Sequence, residues 1–294
     1  MLLAGRRAVL IAGPTAGGKS AAAMRLARGL DGVIVNADSM QVYEELRILT
    51  ARPTAEEERT VPHRLYGHVS AGQAYSVARW LEDVKAVLQE IEGLGKRAIF
   101  VGGTGLYFKA LTAGLSPLPE IDADVRAHWR AEGISRPPQE LYAELMRRDP
   151  RTAAGLRPTD PQRIVRALEV VDSTGRPLAE FQEDPGQPLL APGLWKGIVV
   201  LPERATLHAR ANARFDQMLE MGAVNEVARL KEMQLASVLP AMRALGVVPL
   251  LRMLEGQLSR EEAVERSKAL TRQYIKRQST WLRQHMISWK NVKI

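Results

Sequence analysis

The sequence contains no cysteine among its 294 residues. This absence excludes disulfide bonds, thiolate zinc sites, iron–sulfur clusters and cysteine nucleophiles, so a metal would have to be held by oxygen or imidazole ligands. No apolar run approaches the length needed to cross a bilayer, and the N-terminal Leu2 and Leu3 belong to a stretch too short for a spanning segment. We therefore expect a cytoplasmic protein without membrane contact.

Acidic residues are missing from the last part of the chain. Residues 266–294 contain eight Lys or Arg and no Asp or Glu, with Tyr and Trp interleaved. With about 100° of rotation per residue, Arg272, Lys276 and Arg283 fall on one stripe of a helix whose other side is largely apolar. Such a stripe is often only a solvated face. Without acidic neighbours, and with a net charge of +8 for the chain, it favours a phosphate backbone as partner.

A phosphate-binding loop follows the first apolar run. Residues 13–20 read GPTAGGKS and match G-x-x-x-x-G-K-[ST], between an apolar run and an Ala-rich segment that favours helix. The glycines let backbone N–H groups curl around phosphate oxygens, Lys19 adds a positive charge, and the Ser20 hydroxyl can reach Mg²⁺. The following helix points its positive end at the same anion. The loop predicts phosphate chemistry, but kinases, hydrolases and transferases all use it.

Short apolar runs alternate with segments of helical periodicity, which predicts an α/β fold with a parallel sheet. The predicted strands cover residues 8–12, 32–37, 98–101 and 197–201, and the predicted helices cover 77–94, 206–235 and 260 to about 286. Between 116 and 193 prolines punctuate helical segments. We therefore predict a P-loop NTPase-like core of residues 1–115 and 194–294, with a mainly helical module, 116–193, inserted into it.

Polar residues follow two further predicted strands, where ligands gather in open parallel sheets. Asp38 is placed to hold Mg²⁺ through water or to take a proton from a substrate, although Asp38 or Ser39 would also suit a helix N-cap. The turn at 102–105, Gly-Gly-Thr-Gly, permits close approach of the backbone to a ligand and has Thr104 as its only hydroxyl, although it also suits a tight structural turn. The strand before this turn does not end in the acidic residue that many nucleotide hydrolases place beside their metal. This absence argues against ATP hydrolysis.

Two arginine pairs lie at helical spacing outside the basic stripe. Arg163 and Arg166 are three residues apart in a segment opened by Asp-Pro, a good cap and first-turn pair. Arg210 and Arg214 are four residues apart. These arginines would either pair with surface glutamates or neutralise phosphates held by the loop.

Six segments together resemble, in order and spacing, the bacterial tRNA dimethylallyltransferases. They are GPTAGGKS at 13–20, NADSMQVY at 36–43, PHRLYGHV at 62–69, VGGTGLYFKALTAGLSPLP at 101–119, DPQRIVRALEV at 160–170 and TRQYIKRQSTWLR at 271–283. That family transfers the dimethylallyl group of dimethylallyl diphosphate to N6 of the adenosine 3′-adjacent to the anticodon, in tRNAs that read codons starting with U, and releases diphosphate. The resemblance covers about residues 8–289.

The resemblance implies a role for each candidate residue. Asp38 would accept a proton or hydrogen bond from the adenine amine, Thr104 would lie beside the bridging oxygen, and Arg214 with Lys19 would neutralise the leaving group. Mg²⁺ would bind at Ser20, and the loop would hold diphosphate rather than ATP. The implied diphosphate-binding residues are Gly13, Pro14, Thr15, Ala16, Gly17, Gly18, Lys19 and Ser20.

The resemblance also implies an interface with the tRNA anticodon stem-loop, from which the target adenosine would be flipped out. The inserted module would close over the anticodon arm, and Val247 replaces a residue that is usually Tyr in the family. The implied tRNA-binding residues are Asp38, Ser39, Met40, Gln41, Arg126, Gln162, Arg163, Ile164, Val165, Arg166, Arg243, Ala244, Leu245, Gly246, Lys276, Arg277, Gln278, Ser279, Thr280, Trp281, Leu282 and Arg283.

Two other functions remain possible from the residues alone. A small-molecule P-loop kinase would use the phosphate loop and Asp38 but would leave the basic stripe without a role. A non-catalytic RNA-binding protein would leave Asp38 and the glycine-rich turn unexplained. Nothing in the sequence requires more than a monomer.

Overall fold

The computed structural model describes residues 8–292. The chain divides into two compact units, the first formed by the chain up to Thr112 and from Leu189 onward, the second by Ala113–Pro188. Leu2, Leu3 and the final lysine of the predicted basic stretch, Lys293, lie outside the described residues. Among the residues described, no helix has the length and apolar character to span a membrane.

A parallel sheet forms the centre of the first unit. Within 8–292 it has six strands in the order β3-β2-β4-β1-β5-β6, which confirms the predicted α/β fold. Every residue of the strand Ala8–Ala12 is buried, as in sheets covered by helices on both faces. The strands are β1 (Ala8–Ala12), β2 (Gly32–Asn36), β3 (His63–Arg64), β4 (Arg97–Gly102), β5 (Trp195–Val200) and β6 (Lys290–Val292).

Three helices connect successive strands of this sheet, and a fourth follows β4. They are α1 (Lys19–Leu30), α2 (Ala55–Thr60), α3 (Val77–Gly93) and α4 (Gly105–Ala113). Helix α3 buries Trp80 and Val84 on one face and is capped by the Ser76 hydroxyl. The indole Nε1 of Trp80 donates to the Asn36 carbonyl, 3.0 Å away, and so fixes the carboxyl end of β2.

The second unit is helical and has its own core. Its helices are α5 (Ala123–Ser135), α6 (Pro138–Arg148), α7 (Pro150–Ala153), α8 (Pro161–Thr174) and α9 (Leu178–Phe181). Trp129, Leu141 and Ile164 are among the buried residues of this core. The buried carboxylate of Asp149 accepts hydrogen bonds from the backbone N–H groups of Thr152 and Leu178, so it joins two short helices. The unit spans 113–188, whereas the sequence placed the module at 116–193.

The remaining helices belong to the first unit. They are α10 (Arg204–Glu220), α11 (Ala223–Glu232), α12 (Val247–Leu254) and α13 (Arg260–His285), with a 3₁₀ turn at Pro240–Arg243. The prediction of one helix over 206–235 is wrong, because Gly222 adopts a left-handed conformation with φ 98° and divides it. Helix α13 begins with a capping box formed by Ser259 and Glu262.

Candidate active site

Three of the predicted site segments meet at one edge of the sheet. The phosphate loop follows β1, Asp38 follows β2, and the glycine-rich turn follows β4, which lies between β1 and β2. The Gly13 N–H donates to the Gly102 carbonyl and the Thr104 N–H donates to the Ala37 carbonyl, each at 3.3 Å. Backbone hydrogen bonds therefore join all three strand ends.

The glycine-rich turn is packed too closely for side chains at two positions. A Cβ at Gly102 would collide with the Ala37 carbonyl, and a Cβ at Gly103 would collide with the Gln278 amide. The same Cβ at Gly103 would lie 3.4 Å from Oδ2 of Asp38. These glycines therefore allow neighbouring groups of the protein to come together. From the sequence, we expected them only to let a ligand approach the backbone.

Asp38 is held in place by the Asn36 side chain and by the Met40 backbone. The Asp38 N–H donates to Oδ1 of Asn36 at 2.8 Å, and Nδ2 of Asn36 donates to the Asp38 carbonyl at 2.9 Å and to the Leu65 carbonyl at 3.0 Å. The Asp38 carboxylate accepts the Met40 N–H through Oδ1 at 3.0 Å. Asn36 is fully buried, so it fixes this turn from inside the protein, a role that the sequence did not reveal.

Thr104 reaches across to the same turn. Its hydroxyl oxygen accepts the Ser39 N–H at 3.0 Å, and its hydroxyl lies 3.3 Å from the Ser39 hydroxyl, to which it donates. The two hydroxyls thus join the turn after β4 to the turn after β2. Thr104 therefore lies beside the turn that carries Asp38.

Two cations accompany Asp38. Burial lowers the pKa of Lys19 to about 8, with the charge of Arg214 acting in the same direction and that of Asp38 opposing it. Burial also lowers the pKa of Arg214, against the opposing charges of Asp38 and Glu57. Lys19 Nζ donates to the Pro14 carbonyl at 3.3 Å. Two partly desolvated cations beside one carboxylate leave net positive charge, which attracts an anion to the phosphate loop.

Helix α13 completes the site through Gln278. Its Oε1 accepts the Thr15 N–H at 2.9 Å and the Thr15 hydroxyl at 3.2 Å, and its Nε2 donates to the Gly103 carbonyl at 3.0 Å. Both donor groups of Thr15 are engaged by Gln278, and the Gly17 N–H donates to the Pro14 carbonyl at 3.0 Å. That the loop residues bind diphosphate stays a prediction.

Three tyrosines lie within range of the charge of Asp38, and sequence reasoning did not find them. Burial raises the pKa of Tyr66, Tyr107 and Tyr274, and the negative charge of Asp38 raises each of them further. Each tyrosine lies inside a segment that carries the resemblance. The aromatic residues of those segments are the signal that could have identified them.

A cavity of about 280 Å³ opens beside Ser20 and Arg214. Its wall combines cationic and apolar side chains, which suits a ligand with a charged head and a short apolar group. Besides those two residues, its lining includes Met24, Arg47, Ile48, Arg52 and Met218.

Buried Glu226 on α11 holds the loop that forms one wall of this cavity. Its two carboxylate oxygens accept the N–H groups of Ile48 and Leu49 at 2.7 and 2.9 Å. Replacing Glu226 by Gln should lower the free energy of unfolding by about 1–3 kcal/mol, because the amide can accept only one of these bonds well. Thermal unfolding measures this loss. Glu232→Gln, an exposed change on the same helix, is the control, and equal stability of the two variants would contradict the argument.

The predicted RNA-binding residues of α13 divide into an exposed and a buried group. Lys276, Arg277, Thr280 and Arg283 are exposed. Gln278, Ser279 and Leu282 are buried, with side chains that face the protein interior. The RNA contacts expected of these residues stay a prediction. Trp281 packs on Gly105 and stacks on the His285 ring. Arg272 donates to Oδ1 of Asn212 at 3.0 Å and thus contacts α10.

The other predicted RNA-binding residues also divide into exposed and buried side chains. Arg243 is exposed, whereas Ala244 and Val247 are buried, so the absent family Tyr is replaced here by a core residue. In the second unit Gln162 and Arg163 are exposed. The side chains of Ala244 and Ile164 pack inside the protein, and RNA contact at these two positions stays a prediction. The partly buried members are Ser39, Met40, Gln41, Arg126, Val165, Arg166 and Leu245.

Comparison with known proteins agrees with the arrangement of these segments. The family model "IPP transferase" matches residues 41–285. A tRNA dimethylallyltransferase of Rhizobium etli (strain CIAT 652) is 52% identical over 99% of this chain and 98% of its own length. One from Agrobacterium fabrum is 52% identical over 95% and 94%.

Solved structures show the same fold. A tRNA isopentenylpyrophosphate transferase from Bacillus halodurans matches with a TM-score of 0.70 and 32% identity, over 98% of this chain and 90% of that one. A eukaryotic dimethylallyltransferase acting on tRNA matches with a TM-score of 0.79 and 27% identity, over 98% and 74%.

Proposed function

The chain belongs to the IPP transferase family, and we propose that it is a tRNA dimethylallyltransferase. It transfers the dimethylallyl group of dimethylallyl diphosphate to N6 of the adenosine 3′-adjacent to the anticodon, in tRNAs that read U-starting codons. The observation that carries this proposal is the meeting of the phosphate loop, Asp38 and Thr104 at one sheet edge, with Lys19 and Arg214 beside them.

The donor half of the site stabilises a leaving group. The backbone N–H groups at the start of α1 and the positive end of that helix receive the diphosphate, while Lys19 and Arg214 neutralise its charge. An allylic cation is stabilised by its own π system, so the protein's main task is to disperse the negative charge that grows on diphosphate as the bond breaks. The strand end of β4 carries no acid for activating water, which agrees with transfer rather than hydrolysis.

The acceptor half places a weak nucleophile. The lone pair of adenosine N6 forms the new bond to C1 of the dimethylallyl group, the C1–O bond breaks, and diphosphate departs with that electron pair. Asp38 accepts the proton released by N6, and the Thr104 hydroxyl turns from the Ser39 hydroxyl to donate toward the departing bridging oxygen. Asn36 and the Met40 N–H fix the carboxylate for this proton transfer.

Magnesium is proposed as the cofactor on the chemistry of Ser20. The described residues contain no group of three or more His, Asp or Glu side chains able to hold a metal. Ser20 presents an exposed hydroxyl in the first turn of α1, and Mg²⁺ commonly binds through one or two protein ligands together with phosphate oxygens and water. The residue set therefore fits a metal that arrives with the diphosphate, and such a metal would disperse its charge.

The RNA partner is the anticodon stem-loop. A stacked base cannot reach a site at the sheet edge, so the target adenosine must leave the stack. The exposed cations of α13 provide backbone contacts, and the exposed Arg163 of the second unit is a further candidate. All of these groups lie on one chain, so we propose a monomer, acting in the cytoplasm on its tRNA.

The test of this function is transfer of labelled dimethylallyl from its diphosphate to an anticodon stem-loop with adenosines 3′ of the anticodon. ATP with a panel of small acceptors is assayed in parallel. Label in the RNA supports the transferase. ATP turnover on a small acceptor without labelled RNA would favour the kinase instead.

Removing two exposed cations of α13 should weaken RNA binding without altering its sequence preference. The double change Lys276→Ala and Arg283→Ala lowers affinity, and the slope of log K against log salt should fall by about 1 for each phosphate group that is no longer neutralised. Fluorescence anisotropy of a labelled stem-loop between low and high salt measures both quantities. Arg28→Ala, at the exposed end of α1, is the control, and an unchanged slope in the double variant would contradict RNA binding at this stripe.

A further inference from the structure

Gln278 touches two separate parts of the site with one side chain. It lies on α13, more than 170 residues away in sequence from either contact, and only 6% of its surface is exposed. Its amide oxygen binds Thr15 twice and its amide nitrogen binds the Gly103 carbonyl. Because an amide has both a donor and an acceptor, it satisfies the loop and the turn at the same time.

The surroundings leave this side chain little freedom. Gly103 has no room for a Cβ because the Gln278 amide occupies that space. Farther along the helix, Trp281 covers Gly105 at the start of α4. Gly103 and Gly105 of the glycine-rich turn therefore pack on one face of α13, and a shift of that helix would move the turn relative to the phosphate loop.

We propose that Gln278 is a positioning residue for the transfer reaction, and this inference rests on the proposed function. Its amide sets the distance between the phosphate loop, where the leaving group is held, and the turn that carries Thr104. Gln278 acts through Thr15 and Gly103 and does not touch the reacting atoms. A misplacement of about 1 Å in such a site costs about 10²-fold in rate.

The first test replaces the amide by an apolar group of similar size. Gln278→Leu leaves the Thr15 N–H and the Gly103 carbonyl without their partner, and kcat should fall about 10²-fold, while KM for the stem-loop stays within about twofold. Ser267→Ala is the control, because the Ser267 hydroxyl is buried on the same helix and bonds only to the Ala263 carbonyl. Wild-type kcat in the leucine variant would overturn the proposal, as would an equal loss in Ser267→Ala.

A second variant distinguishes positioning from a purely structural role. In Gln278→Glu the protonated carboxyl offers one donor and one acceptor like the amide, whereas the ionised form offers no donor to Gly103. Asp38 and Tyr274 lie near the amide. Each rate is therefore divided by the wild-type rate at the same pH, so that the ratio reports the introduced carboxyl alone.

That ratio should rise as pH falls through the pKa of the introduced carboxyl and decrease as pH rises. A ratio independent of pH would overturn the proposal, and this series decides the matter if Gln278→Leu does not fold. An inactive wild type would instead refute the proposed function, so the two failures are distinguishable.

Discussion

Replacing Asp38 by Asn should reduce kcat for dimethylallyl transfer by about 10²–10⁴-fold, the usual contribution of a positioned general base. Asparagine has nearly the same shape, and its Oδ1 can still accept the Met40 N–H that the carboxylate accepts in the structure. It cannot take up the proton released by N6. The expected loss is therefore chemical rather than structural.

Single-turnover transfer with saturating stem-loop and donor measures this effect. The dissociation constant for the stem-loop should stay within about twofold of the wild-type value. The variant removes one charge from the reaction site, whereas the proposed contacts to the RNA backbone come from the exposed cations of α13. Asp216→Asn is the control, since this exposed carboxylate pairs with Lys268 of α13. Full activity of Asp38→Asn would show that another group accepts the proton.

Replacing Arg214 by Gln should lower kcat/KM for dimethylallyl diphosphate by about 10²–10³-fold, the range found when one stabilising group for a developing charge is removed. Arg214 is largely desolvated, its charge lowers the pKa of Lys19, and the charge of Asp38 raises the pKa of Arg214 against the effect of burial. A charge in such surroundings interacts with diphosphate more strongly than it would in water.

The chain offers a matched control one turn earlier on the same helix. Arg210 has the same side chain but is exposed, so Arg210→Gln should leave kcat/KM nearly unchanged. Initial rates at varied donor concentration and calorimetric binding of inorganic diphosphate measure both variants. If the two changes have equal effects, net charge alone attracts the donor and Arg214 has no specific position in the site.

The phosphate loop, the two polar strand ends and the start of α13 were predictable because each is specified locally. GPTAGGKS needs only its own glycines and the adjoining strand and helix, and Asp38 is placed by the strand that precedes it. The long helix over 206–235 was wrongly predicted because one Gly at 222 outweighs the surrounding helical periodicity. Strands β3 and β6, with two and three residues, are too short to show a period.

The buried polar residues were not predictable from the sequence pattern. One face of α13 buries Ser267, Thr271 and Gln278 among apolar residues, so hydrophobic periodicity alone assigns such residues to the surface. Gln278 and Asn36 are buried because backbone groups far away in sequence or in tight turns need partners. Such partners become visible only when the chain is folded.

The close packing of Ala37 on Gly102 has a consequence for attempts to give this enzyme a new donor. Any larger residue at 102 would push the ends of β2 and β4 apart and would change the spacing of the reacting groups before it changed the donor. Met24, Ile48 and Met218 line the cavity beside Ser20 and Arg214 and are not part of that junction. A library meant to accept longer prenyl chains should therefore vary the cavity wall and keep the strand ends fixed.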